Sequence, residues 1–460
     1  MAGPQTTEAA RRKVRGDFAT PPGLVDMVLD HTLPSVAPGG TLSVLDPACG
    51  DGRFLVAAGR RILAAGGRPM LLGVEVDHAT ATRARQALAA AGLEGVVETT
   101  DALEREWASA RFDVVVGNPP YLSQLAAATA RGGASRHGGG PYADGAAEFL
   151  AQAVRLARPG GGRVGLVLPQ SILASRDAGP VRDEVDRLAA TRWAWWSRRR
   201  LFDAEVIVCA LAFERRPRGV ERGPEPARPW SEVVIRSLSV PALPALATAG
   251  TLGDRARTTA NFRDQYYALV DAVADDGPGP PLVTSGLIDP GRCRWGERPV
   301  RFAGRTRERP RVDLDALSPT MGRWAERLLV PKVLVANQTA VIEAVADVEG
   351  AWLPGVPVVT VRPGEGTAVI DVAAVLTSAV ASCWAWHRAA GTGLSATTLR
   401  LGPRWLGDLP WPARSLSAAV AALADGDVDA CAAAVDAAYG VTDDRLSAWW
   451  RSRRPRPGSV

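Results

Sequence analysis

Lysine is nearly absent from this chain: among 54 basic residues only Lys13 and Lys332 are lysine, and the rest are arginine. So much arginine beside so much Ala, Gly and Val is what a GC-rich genome encodes, so a net charge of +5 does not by itself point to a nucleic-acid partner. Cysteine is sparse too. Cys49, Cys209, Cys293, Cys383 and Cys431 are far apart and odd in number, and the 4 histidines are as scattered, so the spacing supports neither a zinc site nor a disulfide framework. No apolar run reaches the roughly 18 residues of a membrane span, and no secretory apolar core opens the chain. A cytoplasmic protein without metal or membrane partner is expected. What is present is ordinary: 47% hydrophobic and 22% charged residues over 460 positions, enough for two or three domains with their own cores.

The most informative stretch is Phe112–Tyr121, FDVVVGNPPY. Phe112 and Val114–Val116 are the apolar, mostly β-branched residues of a buried strand. The run ends at Gly117, and Asn118-Pro119-Pro120-Tyr121 follows at the carboxyl end, where open α/β sheets bind ligands. Consecutive prolines fix φ near −65° and hold Asn118 out of the helical region. The turn can therefore present the Asn118 amide, the Pro119 carbonyl and the Tyr121 ring together. That set suits a planar amine on an aromatic base, whose nitrogen lone pair is delocalised into the ring. Two acceptors, the Asn118 side-chain oxygen and the Pro119 backbone oxygen, could take the two amine hydrogens and aim the lone pair at an electrophilic methyl group. Tyr121 would stack on the base. The plainer reading is a proline-stiffened turn that ends a strand.

Upstream, Thr20-Pro21-Pro22 reads as a helix start, with Thr20 as N-cap and Pro21 at the first helical position, and the helix ends near His31. A strand at Thr41–Leu45 runs into Asp46-Pro47-Ala48-Cys49-Gly50-Asp51-Gly52, and a helix follows to about Ala65. The glycines either let the backbone approach a ligand or make a plain tight turn. Met70–Val74 is a strand with Glu75 at its carboxyl end, where nucleoside-binding domains place an acid for the ribose hydroxyls. A helix at 79–91 and a strand at 96–99 lead to Asp101, an acceptor for an adenine amine or a helix N-cap.

These motifs are DFATPP, LDPACGDGRFL, GVEVD, FDVVVGNPPYL and AAEFLAQAVRLARPGGGRVGLVLP. In order and spacing they resemble the gamma-class, TaqI-like N6-adenine DNA methyltransferases, strongly over residues 17–214. The resemblance implies a Rossmann-like class I methyltransferase domain, α/β, with a seven-stranded sheet whose last strand is antiparallel. A mixed α+β target-recognition domain would follow it. It implies S-adenosylmethionine as cofactor, bound by Thr20, Asp46, Ala48, Gly50, Glu75 and Asp101, and catalysis by Asn118, Pro119, Pro120 and Tyr121. Phe202 matches the second base-stacking aromatic, or else is core. The family often has an apolar aromatic after the third acid, where this chain has Ala102 and Leu103.

Residues 1–16 are expected as a mobile arm, 17–215 as the catalytic domain, 216–415 as the target-recognition domain and 416–460 as a helical segment with a basic tail. Ala126–Asp144, rich in Gly and Ser, is a loop that either closes over the base or is a disordered insertion. A helix at 146–158, a strand Arg163–Leu168 and an antiparallel pair Arg192–Trp196 and Val206–Phe213 complete the first domain, and the Pro/Arg-rich stretch Arg215–Trp230 is the boundary. In the second, Arg292–Arg311 holds eight arginines interleaved with Trp295 and Phe302. Arg292, Arg294, Arg298, Arg301, Arg305 and Arg307 are candidate DNA contacts, or a solvated loop. A strand pair at Val330–Asn337 and Val341–Val345, one helix at Ala373–Ala390 and two helices in 416–454 are also expected.

The function this implies is methyl transfer to the exocyclic amine of a flipped-out adenine in double-stranded DNA, by a monomer, possible partners being a cognate restriction endonuclease or other defence proteins. The alternatives are N4-cytosine DNA or rRNA base methylation, protein-glutamine methylation, and a non-catalytic DNA-binding subunit.

Overall fold

The structure, a computed structural model, describes residues 19–108, 111–121, 144–202, 206–220, 229–261 and 263–455. The expected arm at 1–16, the loop from Ala126 up to Asp144, and the tail beyond residue 455 lie outside those residues. Chain contacts divide the protein into two units, Met1–Val234 (unit 1) and Ile235–Val460 (unit 2).

In unit 1, α1 (Pro22–Thr32), β1 (Thr41–Asp46), α2 (Arg53–Ala64), β2 (Arg68–Glu75), α3 (His78–Ala90), β3 (Gly95–Thr99) and β4 (Val114–Gly117) come first. Then follow α4 (Gly145–Leu156), β5 (Arg163–Pro169), α5 (Gly179–Leu188), β6 (Ala189–Trp196) and β7 (Val208–Arg215). The seven strands form one sheet in the order β3-β2-β1-β4-β5-β7-β6. Only β7 runs against its neighbours, antiparallel to both β5 and β6. Strand β4 shows why the order holds. Val114 and Val116 point into the core shared with α1, α2 and α3, while Val115 points to the other face, and all three are fully buried. A strand covered on both faces can be continuously apolar. Helices α4 and α5 pack on one another, α4 also on β4 and β5.

Thr20 is not the N-cap of α1. The cap is Pro21, without a side-chain bond, and Pro22 holds the first helical position. Two prolines have no N–H for a cap to satisfy, so the threonine hydroxyl is released for another partner.

Unit 2 is built on a four-stranded antiparallel sheet ordered Ala344–Asp347, Lys332–Ala336, Val358–Pro363, Ala256–Ala260, with several two-stranded ribbons and helices around it. Lys332 and Asp347 are register partners and form a buried ion pair. Burial lowers the Lys332 ammonium pKa, and Asp347 opposes that shift. The helix expected at Ala373–Ala390 is two, Val369–Leu376 and Ala379–Ala389, bent by 66°. Thr377 Oγ1 donates to the Ala373 carbonyl, and Ser378 Oγ accepts from the Ala381 amide, so side chains end one helix and cap the next. Among the described residues no single helix is long and apolar enough to cross a membrane, although this bent pair passes on length and composition together. The two helices expected in 416–454 are three, Ser417–Ala424, Val428–Ala438 and Asp444–Arg453. Gly426 and Gly440 separate them at φ +78° and +77°, and Asp427 and Asp443 cap the second and third. The first two of these pack on Val369–Leu376, and the last on Ala379–Ala389, so they belong to unit 2 and do not form a separate segment.

Candidate active site

Three adjacent strands, β2, β1 and β4, end on Glu75, Asp46 and Gly117. The chain reverses sheet direction here, since β2 lies on one side of β1 and β4 on the other, and such a switch point opens a crevice at the carboxyl edge. Glu75 shapes the loop above it: Oε2 accepts the Gly50 amide at 3.1 Å and Oε1 the Asp77 amide at 2.9 Å. Gly50 sits at φ +53°, and a Cβ there would meet no atom within 4 Å, so the turn faces open space. Ala48 donates its amide to Asp46 Oδ1 at 3.1 Å. Asp46 is 1% exposed. Burial, with Glu75 and Asp51 nearby, raises its carboxyl to about 8. Gly117 is required at the end of β4: any Cβ would lie 2.5 Å from Asp46 Oδ1.

One step along, the Asn118 amide is held at both ends. Its Nδ2 donates to Thr20 Oγ1 at 3.0 Å, and its Oδ1 accepts the Tyr121 hydroxyl at 2.5 Å. Pro119 is buried and Pro120 half-buried, so the turn is fixed by packing as well as by its rings. Burial pushes the Tyr121 phenol well up, which keeps its hydrogen in place to donate. The Tyr121 and Phe202 rings lie 6.3 Å apart, tilted by 59°, and both pack on the core under the sheet.

The structure therefore brings Thr20, Asp46, Ala48, Gly50, Glu75, Asn118, Tyr121 and Phe202 to one edge of one sheet. Asp101, beyond β3, accepts the Leu103 amide at 2.8 Å and so caps its own turn. The contact between Thr20 and Asn118 is the feature that sequence reasoning missed, because a hydroxyl before two prolines signals a helix cap. Among the described residues no His, Cys, Asp and Glu side chains group as metal ligands.

In unit 2 the candidate arginines separate into two kinds. Arg294 and Arg298 both grip Asp289, at 2.7 and 3.0 Å, and Arg292 pairs with Glu297 at 2.8 Å. Arg307 donates to the Val273 carbonyl at 2.9 Å and pairs with Asp275 at 3.6 Å. Arg301 and Arg305 are exposed, on a hairpin of Val300–Phe302 and Arg305–Arg307. Its two turn residues, Ala303 and Gly304, have φ of +49° and +77°, as the tight hairpin twist requires. Phe302 is buried in the core, and Trp295 is stacked by Arg309 and Arg311, so neither aromatic is presented to a ligand.

Among curated proteins nothing matches this chain. Solved structures similar to it include a type I restriction-modification methyltransferase subunit from Streptococcus thermophilus, 20% identical, covering 45% of this chain and 47% of that one, with a TM-score of 0.37. Another is the M protein of the type I restriction enzyme EcoKI, 20% identical, covering 43% and 44%, TM-score 0.34. The chain spans less than half the length of either. The family model described as N-6 DNA Methylase matches residues 5–184. The glycine turn, Glu75 and the Asn-Pro-Pro-Tyr corner all lie inside the stretch that this model matches.

Proposed function

We propose that the protein transfers a methyl group from S-adenosylmethionine to the exocyclic amine of adenine in double-stranded DNA, as a gamma-class enzyme. The observation that carries this reading is the Asn118 amide, locked between Thr20 and Tyr121 beside the edge where Glu75 and Asp46 end their strands. The open face of the Gly50 turn and the Glu75 carboxylate fit a nucleoside that carries a cationic tail, and such a cation would favour the ionised form of the buried Asp46 carboxyl. Bound there, S-adenosylmethionine would supply the electrophilic methyl carbon.

The chain's own groups do the rest. Asn118 Oδ1 has a second lone pair beside the one that Tyr121 uses, and the Pro119 carbonyl is a second acceptor. Together they would take the two amine hydrogens and localise the nitrogen lone pair. No strong base is needed, since the nitrogen becomes acidic once methylated. Adenine in a duplex is stacked, so it must be flipped out to reach this corner. A base between Tyr121 and Phe202 needs two contact distances, about 7 Å in all. The rings are closer than that and tilted, so Phe202 turns aside as the base enters. In unit 2, Arg301 and Arg305 are exposed arginines of the candidate set that enter no ion pair among the described residues, placed to meet phosphate or guanine edges.

The test is transfer of labelled methyl from S-adenosylmethionine to duplex DNA, followed by digestion to nucleosides. N6-methyladenine is expected. Label in cytosine, or in protein alone, would overturn the reading. Asn118→Ala should lower single-turnover transfer by roughly a thousandfold with cofactor binding intact, and Tyr121→Ala by less.

A further inference from the structure

Two prolines fix the backbone of the Asn118 corner, but they do not decide how its side chain faces. The χ2 torsion of asparagine is broad and roughly two-fold, and a half-turn would exchange the acceptor oxygen for a donating amine. Something else must hold the plane of the amide. Thr20 is a partner on the Nδ2 side that comes from outside the corner, 98 residues away in sequence, with its hydroxyl 3.0 Å from Nδ2. It is only 5% exposed, so water does not replace it easily.

Thr20 is itself held. Its carbonyl accepts Arg53 Nη1 at 3.1 Å, and Arg53 Nε donates to Asp51 Oδ2 at 2.8 Å. Asp51 lies between Gly50 and Gly52, in the turn that faces the nucleoside edge. A continuous chain of contacts thus runs from the glycine turn through Arg53 and Thr20 to the amide, and through Oδ1 to Tyr121.

We propose that Thr20 is a positioning residue: its hydroxyl fixes the plane of the Asn118 amide, and Arg53 ties the Thr20 backbone carbonyl to the glycine turn. The inference rests on the reading of Asn118 as the amine acceptor. It differs from the cofactor-binding role that the family resemblance implies for Thr20. A lost cofactor contact weakens binding of S-adenosylmethionine, whereas a freed amide slows transfer at saturating cofactor.

The experiment compares Thr20→Val, Thr20→Ala and Thr20→Ser in the full chain. Single-turnover transfer to DNA is measured at saturating S-adenosylmethionine, with cofactor Kd by calorimetry and melting temperature alongside. Losing the hydrogen bond that sets the plane of the half-buried amide should slow transfer by roughly tenfold to a hundredfold in Val and Ala, with cofactor Kd changed less than about threefold. Ser should recover most of the rate, and Arg53→Gln should lose about threefold to tenfold. Wild-type rates in Val or Ala would overturn the proposal. So would a loss carried wholly by cofactor Kd, or a Ser variant as slow as Val. Because two variants lack the hydroxyl with different volumes, a packing fault in one leaves the other to decide. If Asn118→Ala itself transfers normally, the functional reading fails; if it is inactive while Thr20→Val is normal, only this inference does.

Discussion

The carboxyl edge of the unit 1 sheet and the arginine cluster of unit 2 use their polar side chains in opposite ways. At that edge the acids face backbone amides: Glu75 holds the Gly50 and Asp77 amides, and Asp46 is buried against the Ala48 amide. Around the arginine cluster and at the edge of the unit 2 sheet, opposite charges are matched: Asp289 takes both Arg294 and Arg298, Glu297 takes Arg292, and Asp347 takes Lys332. In the proposed function, acids that face amides at such an edge serve a cationic cofactor. A network whose charges are already matched holds a fold together. Among the candidate arginines of unit 2, Arg301 and Arg305 are exposed and enter no ion pair among the described residues, whereas the exposed Arg292 pairs with Glu297, and for that reason they are the ones expected to act outward.

Four substitutions or titrations test this contrast. Glu75→Ala removes the acceptor of two loop amides and the proposed ribose contact, so S-adenosylmethionine affinity should fall by about a hundredfold in calorimetry. If binding survives and only melting temperature falls, Glu75 is structural and the contrast fails. Asp289→Ala leaves two arginines without their shared partner. With those side chains about a quarter exposed, the cost should be about 1–3 kcal/mol of stability in denaturant unfolding, with cofactor affinity unchanged.

Asp46 gives a pH signature. Its folded carboxyl titrates near 8, so it is protonated at pH 7, and a bound cation would favour the ionised form. Cofactor affinity should therefore rise between pH 6 and 8, by at most about tenfold per pH unit, and level off above 8, with up to one proton released on binding. Asp46→Asn should abolish that dependence. The same shift works against stability, because the folded state holds its proton more tightly than the unfolded chain and loses that advantage as pH rises from about 4 to 8. The smallest effect belongs to the hairpin. Arg301→Ala with Arg305→Ala should reduce the salt slope of DNA binding by roughly two without changing the melting temperature. Arg298→Ala should do the reverse, and an identical response from both would erase the distinction.

Much of unit 1 was legible because its signals are local. A β-branched run ending in Gly-Asn-Pro-Pro makes a buried strand and a stiff corner whatever surrounds it, and glycines between a strand and a helix make a turn. Strands β1 to β7 fall close to where periodicity puts them, and Glu75 and Asp46 end theirs as expected. Unit 2 was less legible. Its strands are as short as two or three residues, too brief for alternation to register, and the break at Thr377 and Ser378 depends on hydroxyls choosing the backbone over the helix.

The sequence by itself determined the Asn-Pro-Pro-Tyr corner, the glycine turn and the positions of the sheet's strands along the chain, because proline, glycine and runs of β-branched residues act within a few residues. Tertiary structure alone decided that the Thr20 hydroxyl meets Asn118 and not a helix end, and that Arg298 meets Asp289 while Arg301 does not. Those outcomes depend on which distant side chain arrives within hydrogen-bond reach, and only the folded chain sets such distances.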